Sequence, residues 1–453
     1  MLTARPILRS LACMSKPCLL IACILTVATP GVAQPRAPSQ PGVDAPELAA
    51  LGPYAVGTIY ETLDLGPRAL LVADAAGLKA VPGTRQIGLR VSYPATLPKG
   101  AKPAVYAHTM RLAASAPIPF TIPAIAVENA APIAGRFPLV VVSHGLGGWD
   151  TALSFLTENL ASKGYVVAAI DHMDTPVLDM AGMLSSLGNV VYNRAHDQRV
   201  VIRRLMAAAT ATQTGYAAHI DPAHIGLIGY SMGGFGAVAT AGANYDTTTP
   251  AVGNLPAGLP AETAAPDTVV ADALQAVVLI APWGAQTGER GFSPQGLAQV
   301  KAPILLFDGD QDDVAMYADG VGWVFDRLTG TQRHLVVFRG ARHGIAGNPP
   351  PPEARQNPTA LAYFVDNVWR WDRLSGIQTH FVTAFLDAHL KGDAAKLKYL
   401  DTPTLASEDG AWPQAFGSPD LPRYAGDGQP NYWRGFQRRS AVGLDMRRKA
   451  KGE

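Results

Sequence analysis

Cysteine is nearly absent. The 453-residue chain has three, and Cys13, Cys18 and Cys23 all fall within the first 33 residues. Beyond that point no disulfide, thiol nucleophile or cysteine-bound metal is possible. A charge excess is lacking too: Lys+Arg 37 faces Asp+Glu 36, so nothing in the balance suggests a partner of nucleic acid. The apolar run from Cys18 to Ala28 is too short to span a bilayer comfortably, and no stable membrane insertion is expected. No internal repeat of 20–50 residues is visible. What remains is a chain that is 48% hydrophobic and 16% charged, a balance that suits a large folded core.

The first 33 residues read as a secretory signal. Arg5, Arg9 and Lys16 precede the apolar run, and Gly31-Val32-Ala33 supplies small residues for cleavage. Leu20-Ile21-Ala22-Cys23 resembles a lipobox, but apolar sequence continues past Cys23. Removing residues 1–33 takes away three basic groups, leaving 37 − 3 = 34 against 36 acidic ones. A secreted or periplasmic protein is expected. Residues 34–53 read as a flexible Pro- and Ala-rich leader, 54–400 as the folded domain, and 401–453 as an irregular extension with a solvated basic end.

Within 54–400 the apolar pattern is that of strands alternating with helices. Arg85–Val91 alternates as a half-buried strand stopped by Pro94. Six short apolar runs follow: Leu139–Val142, Tyr165–Ile170, Ile225–Ile228, Ala276–Ile280, Ile304–Phe307 and Leu335–Phe338. Such runs mark parallel strands covered on both faces. Helices are expected over Asp150–Lys163 and about 193–210. The result is a doubly wound α/β sheet. Residues 244–273, rich in Thr, Pro, Gly and Ala, interrupt the alternation as a loop or lid insertion.

In such sheets ligands sit at the carboxyl ends of the strands. Gly229-Tyr230-Ser231-Met232-Gly233 lies there, between a strand and an Ala/Gly-rich helix. That context makes Ser231 a nucleophile on a sharp elbow, where only glycine fits two residues to either side. A serine hydroxyl needs a histidine to take its proton. His343, on a Gly-bounded loop after the last strand, is better placed than His334, His380 or His389. The histidine needs an acid, and Asp308, Asp310, Asp312 and Asp313 are all candidates. The amide of Met232 and that of Leu146, in the loop His144-Gly145-Leu146-Gly147-Gly148, would form the oxyanion hole. The Asp308, Asp310, Asp312 spacing also evokes a calcium loop, but Asp313 stands where its glycine belongs. Neither metal nor cofactor is expected.

These motifs resemble the α/β-hydrolase superfamily over about residues 54–400. Phe137–Gly147 and Leu160–His172 are similar to bacterial dienelactone-hydrolase-like proteins and platelet-activating-factor acetylhydrolases. The resemblance implies Ser231 as nucleophile, His343 as base, and Asp312, the fourth residue of Gly309-Asp310-Gln311-Asp312, as the acid, with Asp310 as fallback. Dienelactone hydrolases use a cysteine nucleophile where this chain has Ser231, which favours general ester hydrolysis. Ala281-Pro282-Trp283 and Gly-x-Ser-Met-Gly-Gly are similar to cutinase-like polyester hydrolases. That likeness makes Trp283, along with Trp149 and Tyr230, a candidate wall for apolar or aromatic acyl groups. A prolyl-oligopeptidase-like peptidase and a catalytically inactive binding protein are the competing readings. The first lacks room for a propeller before residue 137, and the second typically lacks the serine or the histidine.

Overall fold

The computed structural model describes residues 36–453 except 114, 175–176, 212–213, 413–422 and 427–430. The expected signal segment lies outside the described residues. A central sheet contains β1 (Ala55–Pro67), β2 (Thr84–Thr96), β3 (Phe137–Ser143), β4 (Val166–Asp171), β5 (Ile220–Tyr230), β6 (Leu274–Ile280), β7 (Ile304–Gly309), β8 (Arg333–Phe338) and β9 (Leu444–Lys449). Across the sheet the order is β9-β8-β7-β6-β5-β3-β4-β2-β1. From β4 through β3 to β8 the pairing is parallel, while β2, β1 and β9 are antiparallel additions. This order is the α/β-hydrolase arrangement.

The parallel strands are buried on both faces because helices cover both. Leu139 and Val141 of β3 enter one core with Val191, Val201, Ile202 and Leu205 of α2 (Met180–Ala211). Val140 and Val142 point the other way, into a core with Leu156 and Leu160 of α1 (Ser154–Ser162) and Phe381 and Phe385 of α4 (Trp371–Leu390). An alternating strand with two apolar faces must be sandwiched in this way. The chain switches sides of the sheet between β3 and β5, the place where such folds open a ligand crevice.

Several expectations need correction. The leader is not loose from Arg36 onward. Ser39 Oγ donates to the buried Glu158 at 2.9 Å, Leu48 N–H to His380 Nδ1 at 3.1 Å, and Lys163 Nζ to the Leu48 carbonyl at 2.5 Å. Pro and Ala make the segment featureless in sequence, yet its backbone groups find fixed partners. Pro94 does not stop β2, which runs to Thr96 with Pro94 opposite Val56 of β1. Helix α2 begins at Met180, well before the expected residue 193.

Residues 244–273 are no lid. They hold three short helices, Pro250–Gly253, Leu259–Thr263 and Thr268–Ala273. Val252 and Val270 anchor these helices in the core beside α2, and Arg203 grips the Asp267 cap at 2.6 and 2.8 Å. Pro250 and Pro260, read as breakers, instead start helices, where a missing N–H costs nothing. The C-terminal extension is also built in. The basic run Arg447, Arg448 and Lys449 belongs to β9, an edge strand paired with β8, and Arg448 and Lys449 pair with Asp401 and Asp326. Trp433 is fully buried, with its Nε1 donating to Thr404 Oγ1 at 2.9 Å.

Two outcomes follow from this packing. Trp433→Ala should cost about 3–5 kcal/mol in urea unfolding, the range for emptying a large aromatic site; a loss within 0.5 kcal/mol would mean the tail is not part of the core. Burial pulls the Lys163 ammonium down to about 7, against the opposing pull of Asp387. Above that pH the folded chain releases this proton while the unfolded chain keeps its own to about 10.5. Stability relative to Lys163→Met should therefore rise with pH between those values, read from midpoints of denaturation across a pH series.

Candidate active site

Three loops at the carboxyl end of the sheet converge on Ser231. It sits between β5 and α3 (Met232–Val238) with φ 51° and ψ −116°. That conformation is costly for any residue with a Cβ, and its surroundings hold it there. The Ser231 N–H donates to the Ile280 carbonyl at 2.9 Å, and its own carbonyl accepts from Phe235 and Trp283. A Cβ on Gly229 would come within 2.4 Å of the Gly233 carbonyl oxygen, and one on Gly233 within 2.1 Å of Ser143 O. Glycine is thus required at both places by backbone that cannot give way.

The loop after β8 delivers His343. Its Nε2 lies 2.9 Å from Ser231 Oγ, and its Nδ1 lies 2.7 Å from Asp312 Oδ2. Asp312 is buried, and its other oxygen accepts the Val314 and Ala315 amides at 2.8 Å each. Burial would raise its pKa, but the hydrogen bond and charge of His343 lead the effects that hold it below the usual carboxylate value. With a carboxylate on Nδ1, the ring carries its proton there and presents a bare Nε2 to the serine. Tyr230 stacks on the ring at 5.5 Å and donates to the His343 carbonyl at 3.2 Å.

The other acids have other partners. Asp310 accepts the Gly340 amide at 2.7 Å, and Asp313 pairs with Arg342 at the cavity rim. Asp308 is buried against Asp312; burial first, and then the Asp312 charge, push its pKa well above the ordinary value. The Gly309 amide opposes that push without cancelling it. His380 is a core residue that accepts from Leu48, and His334 lies within β8.

Loop 144–148 approaches closely: a Cβ on Gly145 would stand 3.3 Å from Ser231 Cβ. The amides of Leu146 and Met232 have no acceptor among the described residues. They are free to bind an oxyanion beside Ser231.

A cavity of about 420 Å³ opens over Ser231, and Trp149, Tyr363, Phe364 and Val314 contribute to its apolar lining. Trp149 stacks on Tyr363 with centroids 5.6 Å apart. Trp149 and Tyr230 therefore reach the site. Trp283 does not line this cavity; its ring packs edge-on against Phe235 at 5.5 Å while its backbone braces the serine turn. Sequence reasoning missed Tyr363 and Phe364, which follow the last of the six apolar runs and carry no motif. Asn348 in segment 344–370 fastens it to the start of α1, accepting from Ser154 Oγ and the Phe155 amide at 3.1 Å.

A second Ser–His–Asp string was also missed. Ser143 Oγ lies 2.7 Å from His172 Nε2, and His172 Nδ1 lies 2.8 Å from Asp197. All three are buried, which makes the string a support under the 144–148 loop rather than a reaction centre.

The known proteins to which this chain is similar are ester hydrolases. The family of platelet-activating factor acetylhydrolase, isoform II, matches residues 103–187, a stretch that includes the loop near Ser231 but ends before it. The dog platelet-activating factor acetylhydrolase is 51% identical over 39 residues, which is 9% of each chain. Cutinase 1 of Thermobifida cellulosilytica is 22% identical over 51% of this chain and 70% of its own. A bis(hydroxyethyl) terephthalate hydrolase of Streptomyces coelicolor is 22% identical over 53% of this chain and 61% of its own. Among solved structures, a ferulic acid esterase from Streptomyces cinnamoneus aligns with a TM-score of 0.49 at 21% identity, covering 77% of this chain and 94% of that one.

Labelling of Ser231 by a fluorophosphonate should slow by about a thousandfold or more in Asp312→Asn, the scale on which a triad acid acts. Asp310→Asn should stay within about threefold of the unmodified chain. The reverse order would assign the acid to Asp310.

Proposed function

We propose that this chain is a serine carboxylic-ester hydrolase that works through an acyl-enzyme on Ser231. The observation that carries the reading is the unbroken line Ser231–His343–Asp312, at 2.9 and 2.7 Å, on a strained turn facing an apolar cavity. Ser231 Oγ attacks the ester carbonyl as His343 Nε2 takes its proton, and the oxyanion forms between the Leu146 and Met232 amides. His343 then protonates the leaving alcohol. Water, deprotonated by the same nitrogen, releases the acid.

The acyl side of the substrate is small, and apolar or aromatic. Trp149, Tyr363 and Phe364 present ring faces and edges to the cavity, and flat apolar groups pack well against such rings. The likeness to hydrolases named for cutin and terephthalate esters supports the same class. An inactive binding protein would have no need for the strain at Ser231 or the aligned histidine. Residues 1–33 would direct export, and the described residues after them contain no cysteine.

The test is hydrolysis of p-nitrophenyl acetate to palmitate, together with p-nitrophenyl benzoate, by protein lacking residues 1–33. Turnover should favour acetate to hexanoate and benzoate, and Ser231→Ala should lower kcat by about 10⁴ or more. Folded protein with neither turnover nor phosphonate labelling would overturn the reading.

A further inference from the structure

The two peptide units on either side of Leu146 are fixed almost completely from behind. The Gly145 carbonyl, which shares a peptide plane with the Leu146 N–H, accepts from His144 Nδ1 at 2.6 Å, Arg194 Nη2 at 3.2 Å and the Gly148 amide at 3.2 Å. The next peptide is held at both ends: the Leu146 carbonyl accepts from Tyr363 Oη at 3.2 Å, and the Gly147 N–H donates to Asp174 Oδ2 at 3.0 Å. Arg194 and Asp174 are joined by two hydrogen bonds, at 2.8 and 2.5 Å, and both side chains are buried. One arginine–carboxylate pair therefore reaches both peptides at once. Within this unit the Leu146 N–H is the group left without a partner among the described residues.

The proton positions follow from the partners. His144 Nε2 receives the His172 N–H at 3.1 Å, so it must be the bare nitrogen and Nδ1 must carry the hydrogen. Burial, then the nearby Arg194 charge, pull His144 down to about 4, so the ring is neutral at working pH. Burial alone would raise the Asp174 carboxyl, but Arg194 overrides it and holds the group well below the usual carboxylate range. The pair is thus charged. A cation on the Gly145 oxygen draws electron density along the peptide and makes the Leu146 N–H a stronger donor.

We infer that Arg194 and Asp174, with Tyr363 at the rim, are positioning residues that aim and polarise the Leu146 N–H as an oxyanion donor. The inference rests on the esterase reading above. None of the three is needed for the nucleophile–base–acid line, so each can be altered with that line left whole. A buried ion pair adds little stability by itself but enforces one geometry well. Here the geometry enforced is that of two peptides flanking a reaction centre.

The experiment compares Arg194→Met, Arg194→Lys, Asp174→Asn and Tyr363→Phe with the unmodified enzyme on p-nitrophenyl acetate. For each, kcat, KM and binding of a trifluoromethyl ketone are measured. The ketone adds to Ser231 as a tetrahedral oxyanion, whereas the product acid, used as a competitor, does not. The Arg194 and Asp174 variants should lose about 10- to 100-fold in kcat, a fraction of the loss for deleting a donor outright, with KM and product-acid binding within about threefold. Ketone affinity should fall by the same factor as kcat. Lysine should not rescue, since it cannot fork between Asp174 and the Gly145 carbonyl. Tyr363→Phe keeps the ring at a half-exposed position, so it remains informative if the buried variants fail to fold; it should lose about 3- to 10-fold in kcat and ketone binding together. Unchanged kcat, or equal weakening of ketone and product acid, overturns the inference while leaving the esterase reading intact. An unmodified enzyme without turnover or ketone adduct overturns both.

Discussion

Everything at the reaction centre depends on one backbone contact: Gly233, in the first turn of α3, pressed against the last carbonyl of β3. A single added methyl group would meet Ser143 O at 2.1 Å. That contact places α3, the end of β3 and the end of β5 within van der Waals reach of each other. The strand that leads into Ser231 and the strand that leads into loop 144–148 are neighbours in the sheet, paired Gly229 to Ser143. The strain at Ser231, of order 1–3 kcal/mol, is borne by this packing and by the bond from Ser231 N–H to the end of β6. The sheet therefore does more than support the site. Its strand spacing sets the distance between Ser231 and loop 144–148.

Beneath that contact lies an unusual concentration of buried charge. Arg194 with Asp174 and Arg85 with Asp197 surround the His144–His172 pair directly under loop 144–148. Desolvating two ion pairs and two imidazoles is expensive, and buried ion pairs often add no stability over apolar packing of the same shape. The polar groups are almost fully satisfied by one another, which leaves little freedom in rotamer or tautomer. A hydrophobic filling would pack, but it could not hold peptide planes by their carbonyl and amide groups. The cost is tied to the loop beside Ser231, whose peptide planes these groups hold.

How much of this was legible in the sequence differs by the kind of signal. The parallel strands from β3 to β8 announce themselves as short apolar runs, since burial on both faces leaves few other residue choices. Ser231 and His343 stand out because a sharp turn demands glycines at fixed offsets, and that demand is local. Asp312 was one of four acids on a short stretch, because which carboxylate meets His343 depends on how the loop folds back onto Gly309 and Ala341. The insertion at 244–273 misled for a related reason: proline ends a helix and also begins one, and only the tertiary partner decides which. The leader and the tail were illegible because they are held by scattered long-range contacts, Ser39 to Glu158 and Arg333 to the final residues. No window of neighbouring residues records such contacts.

The two tryptophans show where motif reasoning reaches its limit. Trp283 has the better motif and Trp149 the better position. The Trp283 amide is spent on the Ser231 carbonyl, which draws its backbone under the nucleophile and turns the ring toward Phe235. Trp149 follows the pair Gly147-Gly148, and a Cβ on Gly148 would strike His144 Nδ1 at 2.7 Å. The glycine that lets His144 hold loop 144–148 thus also brings Trp149 to the cavity wall, where Tyr363 stacks on it. Tyr363 in turn donates to Leu146. On the proposed esterase reading, acyl recognition and oxyanion geometry share the same few side chains, so a substrate ring pressing on the Trp149–Tyr363 wall would act on the loop proposed to stabilise its transition state. Substrate size and catalytic rate should be coupled here through contact, without any larger movement of the fold.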